Sequence, residues 1–208
     1  MCILSAGENM NGIFENGREK ECYRKARLKA EQVLERNGLS DSKTIEIVKL
    51  ARAYGFVVAT ANLPTRIQGI IAYDESGEEK QFGTDYSKLI IVDKALTNEQ
   101  KRFVTAHELG HYIIGDRLSA SGRHVEARID EHSQKEEIEN EIDYFAACLL
   151  MPHKATKEII DSGEFSGDKL IEKLSETFRV SSAVASRRIE EIRQLEKSNG
   201  SVGSSREK

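Results

Sequence analysis

The sequence predicts an α+β fold, with a small, mainly antiparallel three-stranded sheet packed on helices and a C-terminal helical subdomain. Three observations carry this. The β-branched runs FVVATANL, IQGIIAYD and KLIIVD follow one another between positions 56 and 93, separated by turn-rich segments. Downstream, two capping boxes open helices, Thr97 with Gln100 and Ser133 with Glu136. Beyond Pro152 the chain continues as shorter amphipathic segments that end in LIEKLSETFRVSSAVASRRIEEIRQL.

Taken in order, Arg18 to Arg36 carries apolar Cys22, Ala26, Leu28, Ala30, Val33 and Leu34 on a charged background, which predicts a surface helix stopped by Asn37-Gly38. Six Lys and Arg fall between Arg18 and Lys29, but Glu19, Glu21 and Glu31 are interleaved with them or follow closely, so a solvated face is expected rather than a nucleic-acid patch. A second helix is expected from about Ser42 to Tyr54, on the spacing of Ile45, Val48 and Ala51 or Arg52, and Gly55 stops it. The second and third strands are expected to form a hairpin turning near Glu75 to Gly77. The helix opened by Thr97 spans Asn98 to Ile114, with Gly115 as its cap. The stretch from Asp116 to His132 reads as polar and irregular. The next helix must end near Met151, because Pro152 disfavours helical geometry in the residue before it. The domain organisation expected is a charged helical extension over 1–38, a main domain over 39–152, a helical subdomain over 153–197 and a disordered tail over 198–208.

The formal net charge of −4 over 208 residues argues against the whole-molecule basic field of a protein that coats nucleic acid. Cys2, Cys22 and Cys148 are odd in number and lack CxxC spacing, so no disulfide framework is expected and a reducing cytoplasm fits best. The start MCILSAGENMNG has no basic n-region, and no run approaches the roughly 18 apolar residues of a membrane span. Neither export nor a membrane partner is expected.

Chemistry concentrates in HELGH, positions 107–111. Residues four apart on a helix differ by about 400° of rotation and about 6 Å of rise, so His107 and His111 can reach one ion. Glu108 lies about 100° round the helix, where it cannot easily join them but can reach water on the ion's open side. Neutral imidazoles hold Zn2+, and the ion brings the pKa of water on it to about 7, which leaves Glu108 as the general base.

A catalytic zinc needs a third protein ligand. The extension that would place a Gly three and a His six residues past His111 is absent, since those positions are Ile114 and Arg117. A Glu from a second helix is the alternative, and Glu139 and Glu141 lie on opposite shoulders of the stripe Ile138, Ile142, Phe145 and Leu149. Two details favour Glu139. Asp143 lies one turn along the same shoulder, where its carboxylate can accept from the ring nitrogen that a ligating histidine leaves free. Ala146 continues that shoulder and allows the helices to approach closely. His124, His132 and His153 are further candidate ligands, while Tyr112, Tyr144, His124 and His132 are candidates to stabilise an oxyanion. Cys148 reads as a small core residue.

HELGH is followed 28 positions later by ENEIDYFAACLLMP. In these paired motifs the chain resembles the ImmA/IrrE family of gluzincin-like metallopeptidases, whose pattern is HExxH and then E-x-E-A-N-x-F-A-A-x-L-L-M-P. The resemblance runs from about Leu39 to Leu195, and the helices it implies are of zincin type. It places zinc ligands at His107, His111 and Glu139 and the base at Glu108. Where the family has Ala-Asn this chain has Ile142-Asp143, and Asp is what related gluzincins use there. The resemblance further implies a bacterial, phage or mobile-element protein whose substrate is a helix-turn-helix repressor.

The competing reading is a DNA-binding or repressor-binding regulator with a structural or sensory zinc. Leu174, Phe178, Val180, Val184 and Ile189 have helix-turn-helix spacing around a turn at Arg179 to Ser181, and Arg187, Arg188 and Arg193 would face phosphates. Glu190 and Glu191 dilute that face.

Overall fold

The structure, a computed structural model, describes residues 12–115, 123–127 and 135–203, with 123–127, 135–136 and 199–203 described by backbone alone. The chain divides into two compact units: Ile45–Ala146, and the segments Cys2–Thr44 and Ala147–Lys208 together. The capping box expected at Ser133 and Glu136 lies outside what is described.

In the second unit, β1 (Phe14–Glu15) and β2 (Arg18–Glu19) form a two-stranded antiparallel ribbon, pairing Phe14 with Glu19 and Glu15 with Arg18. The helix expected from Arg18 therefore starts later, as α1 (Glu21–Arg36). The reason is local. Asn16 and Gly17 both adopt positive φ, 50° and 73°, as a two-residue hairpin turn of the mirror-image type demands, and Asn-Gly is the dipeptide that tolerates it best. The basic residues of α1 are ion-paired as a solvated face would have them: Arg24 with Glu21, and Arg27 with Glu19 and Glu31. This unit also holds α5 (His153–Asp161), α6 (Gly167–Phe178) and α7 (Ser182–Gly203). Arg179 caps α6 in the left-handed region, and Ser181 Oγ accepts from the Val184 amide to open α7. Leu174, Phe178, Val180, Val184 and Ile189 are all buried.

The first unit begins with α2 (Ile47–Ala53), shorter than the expected Ser42 to Tyr54. Its sheet comprises β3 (Val57–Ala61), β4 (Gly69–Asp74), β5 (Lys88–Asp93) and β6 (Arg123–Ala127), in the order β3-β5-β4-β6. The expected strand count is corrected: among the described residues the sheet has four strands, the fourth arising from the segment read as irregular. The antiparallel expectation holds in part, since β4 pairs antiparallel with β5 and β6, whereas β3 pairs parallel with β5. Burial explains the order. Leu89, Ile90 and Val92 are buried on β5, as suits an inner strand, while β3 leaves Ala59 and Thr60 exposed and suits an edge.

Across this sheet lies α3 (Asn98–Ile114), packed on β4 and β5 with Val104, Ala106 and Leu109 buried. Both halves of the Thr97–Gln100 capping box form, at 3.3 and 2.9 Å. The fourth helix, α4 (Lys135–Leu150), meets α3 at Gly110, where an added Cβ would lie 2.9 Å from Ile142 Cγ2 and 3.0 Å from Phe145 Cδ1. Gly110→Ala is expected to destabilise the protein by roughly 1 kcal/mol, because overpacking of about 1–3 kcal/mol outweighs the roughly 1 kcal/mol that Ala gains over Gly in a helix. Denaturant unfolding measures it. A more stable variant would show that the two helices do not meet there.

Candidate metal centre

Helix periodicity and tertiary contact divide the residues of α3 between two neighbours. His107 and His111 face α4, and Val104, Glu108 and Tyr112, each four apart, face the sheet. His107 and Glu108 are 0% exposed and His111 is 3% exposed. From α4, Glu139 Oε2 comes within 3.1 Å of His107 Nε2, and its Oε1 within 3.7 Å of His111 Nε2. The two Nε2 atoms are 3.0 Å apart. Geometry thus selects Glu139 where periodicity left Glu141 open. With 28% of its side chain exposed, Glu139 is also the most accessible of the three.

Asp143, one turn further along α4, accepts a 2.7 Å hydrogen bond from His107 Nδ1. The carboxylate can only accept, so Nδ1 carries the proton and Nε2 is the ring nitrogen turned toward Glu139 and His111. A metal ligand must present that nitrogen unprotonated, and a cation shared with Glu139 and His111 would take its lone pair and the carboxylate together. A tetrahedral ion with bonds of about 2.0–2.2 Å holds its ligand atoms roughly 3.3–3.6 Å apart, and the observed 3.0, 3.1 and 3.7 Å bracket that spacing. All three groups offer a donor within 4.8 Å of the others, and among the described residues no other cluster of His, Cys, Asp or Glu does so. The residues present therefore fit a metal ion held by two imidazoles and a carboxylate.

The other candidates lie elsewhere. Tyr112 packs edge-to-face on Phe56 and Tyr73, ring centroids 5.1 Å away in each case, and its hydroxyl accepts from Lys88 Nζ at 2.8 Å. Sequence reasoning did not single out Lys88, which also pairs with Glu75. Tyr144 is buried. His124 pairs with Tyr73 across β6 and β4, its side chain outside what is described, as is all of His132. His153 sits half-buried at the start of α5 in the other unit. Cys148 is buried, and burial pushes its thiol up to about 12, so it is inert as expected of a core residue.

Gly69, at the start of β4, also touches this centre. Its missing Cβ would fall inside van der Waals contact with Glu108 Oε1. The signal was present in the sequence as a glycine inside a strand pattern, a mark of close backbone approach.

The family model of the peptidase M78, IrrE N-terminal-like domain matches residues 67–190, a span that includes His107, Glu108, His111, Glu139 and Asp143. The chain belongs to this family. Among solved structures, a Mycobacterium tuberculosis transcriptional regulator is similar with a TM-score of 0.51 at 19% identity, over 79% of this chain and 46% of that one. This chain thus spans less than half the length of that regulator, and the likeness is one of fold. No curated protein matched. No helix among the described residues of this M78 chain is long and apolar enough to cross a membrane.

Of the three arginines expected to face phosphates, Arg193 is exposed, whereas Arg187 and Arg188 have other partners. Arg187 Nε and Arg188 Nη1 both donate to the Glu191 carboxylate, at 3.1 and 3.3 Å, and Arg188 Nε donates to the Met151 carbonyl. Arg188 is 1% exposed and Glu191 0%. Burial raises the Glu191 pKa, against the pull of the two guanidinium groups. Arg188→Ala is therefore expected to lower the unfolding free energy by about 3–5 kcal/mol, as removal of one partner from a buried pair does. Denaturation midpoints test this. Unchanged stability together with lost DNA affinity would restore the phosphate-binding reading.

Proposed function

We propose that this M78 chain is a zinc-dependent endopeptidase that cleaves a helix-turn-helix transcriptional repressor and so relieves repression. One observation carries the reading: His107, His111 and Glu139 converge on one point, with Asp143 on His107 and Glu108 on the adjoining face of the same helix. A family named as a peptidase supports the reaction type. The solved relative titled a transcriptional regulator agrees with a regulatory setting, and the ImmA/IrrE resemblance supports the repressor as substrate. An odd number of cysteines without CxxC spacing suits a cytoplasmic site of action.

The chemistry divides among the residues. His107, His111 and Glu139 would hold the zinc, which supplies Lewis acidity toward a peptide carbonyl and makes water a competent nucleophile near neutral pH. Glu108 takes the proton from the attacking water and returns it to the departing amine, as one carboxylate can do in both directions. Asp143 fixes the plane of His107 and holds its Nδ1 proton, so that Nε2 is the nitrogen offered to the metal. Burial of both histidines excludes competing water, and the partial exposure of Glu139 leaves the cluster reachable.

The test is incubation of the zinc-loaded protein with the repressor encoded beside its gene, followed by intact-mass measurement. A single cut is expected, abolished by a chelator and restored by zinc. An intact repressor in the presence of stoichiometric zinc would overturn the proteolytic reading.

A further inference from the structure

Gly69 pairs with Val92 in the β4–β5 ladder, and its φ lies outside the left-handed region. The strand therefore does not itself require glycine, which weakens a strand interior. What requires it lies beneath. A Cβ at position 69 would overlap Glu108 Oε1, stand 2.5 Å from Val104 Cγ1 and 3.0 Å from Glu108 Cδ. These two side chains respond differently. A valine in a helix holds essentially one χ1 rotamer, so the Val104 methyl cannot step aside. The Glu108 carboxylate ends a flexible chain and gives way first. The donor groups of His107 and His111 leave α3 toward α4 and are not among the atoms that such a Cβ would meet first.

We propose that Gly69 is a positioning residue for Glu108: β4 offers bare backbone there, and the space this leaves holds the carboxylate in place over the metal ligands' helix. The functional half of this inference rests on the peptidase reading; the steric half does not. A side chain at position 69 meets Glu108 and Val104 before any of the three donor groups.

The experiment is a double-mutant cycle on the full chain, with Gly69→Ala, Glu108→Ala and both together, read by denaturant unfolding and by zinc stoichiometry. Gly69→Ala is expected to lower the unfolding midpoint, and a substantial part of that loss is expected to vanish in the Glu108→Ala background, with about one zinc bound throughout. If Gly69→Ala alone fails to fold, the double variant must still fold. The same loss in both backgrounds, or a double variant no more stable than Gly69→Ala, would overturn the steric coupling. Against the repressor, Gly69→Ala is expected to lose on the order of 10²-fold in kcat with KM nearly unchanged, as an ångström-scale misplacement of a catalytic group does. Parental kcat in Gly69→Ala overturns the positioning role. A parent protein that cleaves nothing overturns the peptidase reading instead and leaves the stability cycle to decide the contact.

Discussion

Replacing Glu108 by Gln is expected to reduce repressor cleavage by a factor on the order of 10²–10⁴ while zinc binding stays at the parental level. Gln keeps the length and volume of Glu, so the contact with Gly69 and Val104 on the sheet side of α3 is preserved. It cannot accept the proton of an attacking water. The position is 0% exposed and is not one of the three clustered donor groups, so the change removes a carboxylate without removing a donor. Cleavage and metal content measured on the same preparation separate the outcomes. Retained cleavage would remove Glu108 from the mechanism, and lost zinc would make it part of the metal site. Equal relief of repression by parent and variant would favour a protein that acts by binding the repressor.

Removing the metal is the second large effect. Zinc is expected to raise the unfolding free energy by about 2.7 kcal/mol at a free concentration one hundred times its Kd, and chelation should return the lower value. The gain is the mass-action consequence of an ion that binds the folded donor cluster of His107, His111 and Glu139 and not the unfolded chain. His107→Ala should abolish the zinc-dependent shift. Asp143→Ala should preserve the ligands but weaken zinc by about 10–100-fold, because His107 Nδ1 then has no carboxylate to hold its tautomer. Calorimetric titration of the three proteins gives the ranking. Parental affinity in Asp143→Ala would mean that the ring is held by its packing alone.

The fold and the centre were legible in the sequence to different depths. Elements whose signals are local were readable: the Thr97–Gln100 capping box, the span of α3 from Asn98 to Ile114, the stop before Pro152, and the helix, turn and helix around Arg179. The Asn16-Gly17 turn was equally local but lay inside a helical apolar pattern that hid it. Strand partners were not readable. Nothing in FVVATANL specifies that it lies parallel to KLIIVD with IQGIIAYD on the far side, since pairing depends on which edge each strand finds free. The arginines of α7 show the same limit, because composition marks them as basic whether they face solvent or Glu191.

By itself the sequence determined the motif chemistry: HELGH on a capped helix, two imidazoles on one face and a carboxylate on the next, because helical geometry turns spacing directly into direction. Only the tertiary structure decided that Glu139 rather than Glu141 completes the cluster, that Asp143 sets the His107 tautomer, and that Gly69 leaves room for Glu108. Each of those depends on how closely α4 or β4 approaches α3. That distance is set by packing across many residues far apart in the chain, and no spacing along one helix records it.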